Sequence, residues 1–180
     1  WNRCYEPWRI ARDARLKRYL IQAGFEVYST NGSLLWEPWE ISKKDGSAYK
    51  VFTPFYKRGC LSAESPRKPL PVVKNILLSP ADIESNELDE LGLLPKNEWH
   101  RSVKTCWDIS EKAASEQLEV FIQNGLTDYM ERRNFPAKQG VSRLSPYLHF
   151  GQISPHKVWH RVECAVDRTS KDVNQNIEHF

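Results

Sequence analysis

Two Ser-Pro steps nine residues apart constrain this chain more than any other feature. In "GVSRLSPYLHFGQISPHKVW", residues 140–159, Ser145-Pro146 and Ser154-Pro155 each stand just before an apolar, aromatic-rich run. Proline suits the first helical position, where its missing N–H is no loss, and Ser is a favoured N-cap. Two helices are therefore predicted to start at these steps. The first start is denser, because Ser142 and Arg143 occupy the turn before it. Capping explains Ser145 with no ligand at all. Ser142 and Arg143 ask for more. A helix start offers unpaired N–H donors and a positive dipole end, and hydroxyls beside it would complete a cradle for an anion such as phosphate. The Arg143 guanidinium fits either a phosphate or a neighbouring carboxylate.

Upstream, Asp108 and Glu111 have the spacing of a capping box. Ala114, Leu118, Phe121, Ile122, Leu126 and Tyr129 then recur on one helical face, which predicts one long helix down to "RRNFP". Pro136 forbids continuation. Tyr129 reads as a core residue whose phenol wants a partner. Arg132 and Arg133, at the predicted helix end, either complement the dipole or meet a phosphate backbone. His156 and His160 are four apart, a spacing that permits a metal, but no third ligand follows. Packed or surface histidines are the expectation.

The first third reads differently. "EPWRIARDARLKRYLIQAGFEVY" predicts a helix opened by Pro7 and closed by Gly24, with Ala11, Ala14, Leu20 and Ala23 near one face. "FEVYST" alternates as a strand, and a helix feeding a strand points to αβ alternation and a parallel sheet. "AYKVFTPFY" is a β-branched and aromatic run interrupted by Pro54. Residues 62–98, with Pro66, Pro69 and Pro71, read as an extended connector, with one short helix expected in "SPADIESNELDELGLLP". The predicted fold class is α/β followed by all-α.

A chain of 180 residues, 40% hydrophobic, can bury a sizeable core, and a net charge of +3 permits a basic surface without announcing nucleic acid. Cys4, Cys60, Cys106 and Cys164 form no Cys-x-x-Cys pair, so reduced thiols and a cytoplasmic location are expected. No signal peptide and no bilayer-length apolar run are present. No nucleophile-and-base pattern, P-loop or G-x-G-x-x-G occurs. The chain opens on "WNRCYEPW" without an initiator Met, so a piece of something longer is expected.

At this point several segments, in order, resemble one family. "GVSRLSPYLHFGQISPHKVW" closely resembles the flavin-binding motif T-S-R-L-S-P-Y-L-H-F-G-x-[IL]-S-P of DNA photolyases and cryptochromes. "WNRCYEPWRIARD", "YKVFTPFYKR", "LGLLP" with Trp107, and "YMERRNFPA" resemble further segments of the same proteins. The resemblance implies that residues 1–55 end a Rossmann-like α/β antenna domain. It implies that 56–107 connect the domains, and that 108–180 begin the helical FAD-binding domain. It implies FAD as cofactor, a possible second antenna chromophore, and damaged DNA containing pyrimidine dimers as partner. The full-length protein would be a monomer with no membrane association. The implied activity is light-driven dimer splitting by electron transfer from reduced flavin, a deoxyribodipyrimidine photo-lyase. The alternatives are a cryptochrome-like blue-light photoreceptor and an inactive fragment.

Carried over by position, Ser142, Leu144 and Ser145 are implied diphosphate contacts, with Arg143 in the same turn. Tyr129 is an implied flavin contact, and Arg133 is implied to face the damaged strand. No catalytic residue and no metal ligand is implied within these 180 residues. Three departures stand out. Val141 replaces the usual Thr, so one hydroxyl donor is missing. "WDIS" replaces W-x-P-G. Trp8 and Arg9 stand where some members carry an Asn-Glu pair for a folate antenna, so folate binding through that pair is not supported. The chain stops at "IEHF", where the family continues, so the 180 residues alone are expected to bind FAD weakly and to repair little.

Overall fold

The computed structural model describes residues 1–78 and 84–166. Helix α1 spans Pro7–Gln22 and begins, as its sequence predicts, with Pro7 in the first turn. Its end is a glycine cap: the Gly24 N–H donates to Ile21 O and the Phe25 N–H to Leu20 O, with Gly24 at φ 87°. The face expected around Ala11 and Ala14 is not covered, for α1 buries no residue.

The strand expected at "FEVYST" does not form among the described residues. One parallel bridge joins Asn2 to Thr30, with Arg3 N–H to Thr30 O at 2.9 Å and Thr30 N–H to Trp1 O at 3.0 Å. A strand needs a ladder partner along its length, and here only the first three residues supply one. Arg3 stiffens this corner: its guanidinium meets buried Glu37 and the Ser29 carbonyl, and Tyr5 O–H donates to the other Glu37 oxygen.

"FTPFYKRGCLS" is also not a strand. It winds into a tight helical run: α2 at Phe52–Pro54, a π turn at Phe55–Gly59 and a 3₁₀ turn at Cys60–Ser62. Pro54 lies inside the first turn, where its ring costs no hydrogen bond. Gly59 is where Ile41 presses closest, since a Cβ there would lie 2.6 Å from the Ile41 side chain.

The connector is mostly irregular. It carries 3₁₀ turns at Leu88–Leu91 and Glu98–His100 and then α3 at Arg101–Cys106. The expectation of a helix in "SPADIESNELDELGLLP" is met only by Leu88–Leu91, and residues 79–83 of it lie outside the described residues.

From Ser110 the helices tighten into the core. Helix α4 spans Glu111–Asn124, and its N-cap is Ser110, whose hydroxyl accepts the Ala113 N–H at 3.0 Å. Asp108, expected at that position, instead accepts the Ser110 N–H one step earlier. The predicted long helix breaks at Gly125, where the Phe121 ring folds over the main chain and a Cβ would meet it at 2.7 Å. A separate turn, α5 at Tyr129–Arg132, follows. Helices α6 (Ser145–His149) and α7 (Pro155–Val166) complete the order.

Among the described residues, Ala114, Leu118, Phe121, Leu126, Leu144, Tyr147, Ile153, Val158 and Val162 form a buried cluster. Trp107, Ala113, Ile122 and Tyr129 pack against it. Burying side chains of this size contributes roughly 1.5–3 kcal/mol each.

Candidate functional site

The turn before α6 is built on a left-handed residue. Arg143 has φ 55°, the one non-glycine residue with positive φ among those described. That conformation costs a bulky side chain of the order of 1 kcal/mol, and it persists because its neighbours hold it. Leu144 follows in the right-handed region, φ −84° and ψ −11°, with its side chain buried in the core. Two successive residues of opposite hand turn consecutive N–H groups toward one point, an anion-binding nest.

Ser142 frames that point. Its carbonyl accepts from the Gln117 amide of α4 at 3.0 Å, and its hydroxyl accepts the Leu144 N–H at a long 3.4 Å. Among the described residues, the amides of Arg143 and Ser145 find no acceptor. The approach to the turn is equally tight. Gly140 is buried against the backbone of Arg132, leaving no room for a Cβ. The Tyr147 hydroxyl ties α6 to the Asp108 carbonyl at 2.8 Å.

Ser145 does not cap. It is the first residue of α6, exposed, with Leu144 in the cap position, so its hydroxyl is committed to no backbone donor. Ser154 does cap: it accepts the Lys157 N–H at 3.1 Å at the start of α7. The two Ser-Pro steps are therefore alike in sequence and different in use.

Arg143 sends its side chain to a shallow pocket of about 300 Å³ that it shares with Gln117, Asn124, Arg132 and Gln139. Arg132 there is paired with Asp128 at 3.2 Å. Arg133 caps α5 and lays its guanidinium 5.4 Å from the centre of the Tyr129 ring, which in turn stands edge-on to Phe121. The structure thus brings Tyr129 and Arg133 together, and it seats Tyr129 on the cluster that holds Leu144. Gln117 and Gly140 were not singled out from the sequence. Gly140 had a legible signal, since a glycine directly before a ligand-type turn marks close backbone approach. His156 is packed, not exposed, at 1% accessibility.

A family model described as DNA photolyase matches residues 1–74. The deoxyribodipyrimidine photo-lyase of Agrobacterium fabrum is 38% identical over 161 residues, covering 89% of this chain and 33% of that protein. Over most of its length the chain is similar to DNA photolyases and cryptochromes. Cryptochrome-2 of Arabidopsis thaliana is 35% identical, covering 92% of this chain and 27% of the plant protein. A bacterial class III photolyase from Agrobacterium tumefaciens superposes with a TM-score of 0.87 at 36% identity, over 97% of this chain and 36% of that one. The chain spans about a third of the length of the curated relatives it matches.

Within this photolyase-type fold the donor set at Ser142–Ser145 suits a diphosphate. It offers main-chain amides and two hydroxyls, and it places no carboxylate among the residues of the turn. No helix among the described residues is long and apolar enough to cross a membrane.

Proposed function

We propose that the protein carrying this chain is a light-driven, FAD-dependent DNA repair enzyme that splits cyclobutane pyrimidine dimers. The observation that carries this reading is the left-then-right turn at Arg143 and Leu144. A turn of that form has no structural need for two unpaired amides, and an anion gives them a use.

When bound, FAD supplies the light-driven electron. The residues of this chain supply its seat. The amides of Arg143 and Ser145 and the hydroxyls of Ser142 and Ser145 would hold the diphosphate. Leu144, locked in the core, fixes where they point. Tyr129 would border the flavin, held by Phe121 and Arg133. Arg133 would contact the phosphate backbone of the damaged strand. Val141, in place of Thr, contributes no hydroxyl.

In the same reading residues 1–55 belong to a Rossmann-like α/β domain, residues 56–107 connect it, and residues 108–180 begin the helical FAD-binding domain. The bridge between Asn2 and Thr30 has the parallel sense such a sheet requires. A second chromophore in the α/β portion would not be held by an Asn-Glu pair here. The Arg9 guanidinium instead lies 5.0 Å from the centre of the Trp8 ring. A monomeric, cytoplasmic protein completes the reading.

Dimer loss from ultraviolet-damaged DNA, followed in light and in dark with the full-length protein, tests it. Loss in light alone supports the enzyme. Flavin loading without any loss leaves the photoreceptor.

A further inference from the structure

The Ser142 carbonyl and the Arg143 N–H belong to one peptide group. In a trans peptide the two point in opposite directions, so whatever holds the carbonyl also aims the N–H. Here Gln117 holds it. Its side-chain amide donates to the Ser142 carbonyl at 3.0 Å, across 25 residues of chain. Among the described residues no other hydrogen bond fixes that peptide. The Arg143 N–H is thereby left facing away from Gln117.

The chain on either side of this peptide is fixed by other means. Gly140 lies against the main chain of Arg132, and Leu144 is 1% exposed in the core, so the turn is pinned at its entry and its exit. Between those anchors the Ser142–Arg143 peptide can rotate about its two Cα atoms without moving either one. Such a rotation carries Arg143 from φ 55° to a negative φ, which an arginine prefers. It also swings the Arg143 N–H out of the nest. Backbone strain thus pulls the peptide one way, and Gln117 holds it the other. The support behind Gln117 is rigid. Gln117 is half-buried on α4, whose Ala114, Leu118 and Phe121 are core residues, and the Lys157 ammonium of α7 donates to the Ser115 hydroxyl of α4 at 2.8 Å.

We propose that Gln117 is a positioning residue for the anion seat: by locking the Ser142–Arg143 peptide against a flip, it keeps the Arg143 N–H aimed at a bound diphosphate. It acts through Ser142 and touches no ligand itself. This rests on the diphosphate reading of the turn and adds a residue that sets its affinity. Gln117→Met keeps the side chain's length and helix preference and removes the donor. The flipped peptide is then favoured, and the binding-competent fraction falls to about a fifth. A glycine at position 143 has no preference between the two hands. There the same loss leaves about half of the molecules competent.

FAD dissociation constants, read by flavin fluorescence on the full-length protein, test this in a cycle of Gln117→Met, Arg143→Gly, both together and neither. The expected result is that Gln117→Met weakens binding about fivefold when Arg143 is present and no more than about twofold when glycine replaces it. Equal losses in the two backgrounds would mean that Gln117 only supports packing, and no loss beside Arg143 would mean that the peptide needs no lock. Either result overturns the proposal. An unaltered protein that fails to bind FAD removes the cofactor reading and the proposal with it. Equally tight binding by the unaltered protein and by Gln117→Met removes the proposal alone. Should Gln117→Met not fold, Gln117→Ala takes its place in the cycle with the same expected contrast.

Discussion

Arg161 on α7 grips Glu119 on α4 with both arms of its guanidinium, Nε to Oε1 at 2.7 Å and Nη2 to Oε2 at 2.5 Å. Both helices contribute residues to the buried cluster that holds Leu144. Both side chains are about 40% exposed, so solvent screens the pair heavily. A double-mutant cycle with Glu119→Gln and Arg161→Gln is expected to give a coupling of about 0.5–1 kcal/mol that shrinks in salt. A larger, salt-independent value would mean that the pair is shielded in the full-length protein.

The two Ser-Pro serines separate in a stability measurement. Ser154→Ala removes a cap bond and is expected to cost about 1 kcal/mol in denaturant unfolding. Ser145→Ala removes no backbone bond and is expected to change stability by less than about 0.5 kcal/mol. Equal costs would contradict the different uses of the two hydroxyls.

Arg143 carries strain in its backbone and charge in its side chain, and one substitution parts them. Arg143→Gly relieves the left-handed strain while keeping the turn, so unfolding free energy is expected to rise by about 0.5–1 kcal/mol. A β-branched residue there, Arg143→Val, is expected to lower it by more than about 1 kcal/mol. The two variants moving stability in the same direction would show that the turn is not held left-handed in solution.

Arg133 makes a different kind of prediction, on DNA. If it meets a backbone phosphate, Arg133→Ala lowers affinity for damaged and undamaged DNA alike and flattens the salt dependence by roughly one unit of slope. Affinity lost only for damaged DNA, or an unchanged slope, would assign it another role.

How much of this was legible in the sequence depends on whether the deciding contact was local. The Gly24 cap, the Ser154 cap and the buried face of Ala114, Leu118 and Phe121 follow from spacing, because each is settled within a turn or two of helix. The break at Gly125 was missed because the apolar rhythm runs through it. Leu126 stays buried by turning at the glycine, not by continuing the helix. The strand pattern in "FEVYST" names a tendency, but a strand is made by its neighbour, which residues 1–3 supply at only one point. At the site, the residue types in the Ser142–Ser145 turn suggested an anion. The handedness of Arg143 and the hold of Gln117 on Ser142 depend on tertiary packing and could not be read from the string.

The central claim is that main-chain amides and the hydroxyls of Ser142 and Ser145 seat the FAD diphosphate. The most direct measurement is the FAD dissociation constant of the full-length protein with Ser142→Ala and Ser145→Ala combined, against the unaltered protein, by flavin fluorescence. Two lost hydrogen bonds to a charged group predict at least about tenfold weaker binding, with the circular dichroism of the flavin-free protein unchanged. An unchanged dissociation constant would contradict the account.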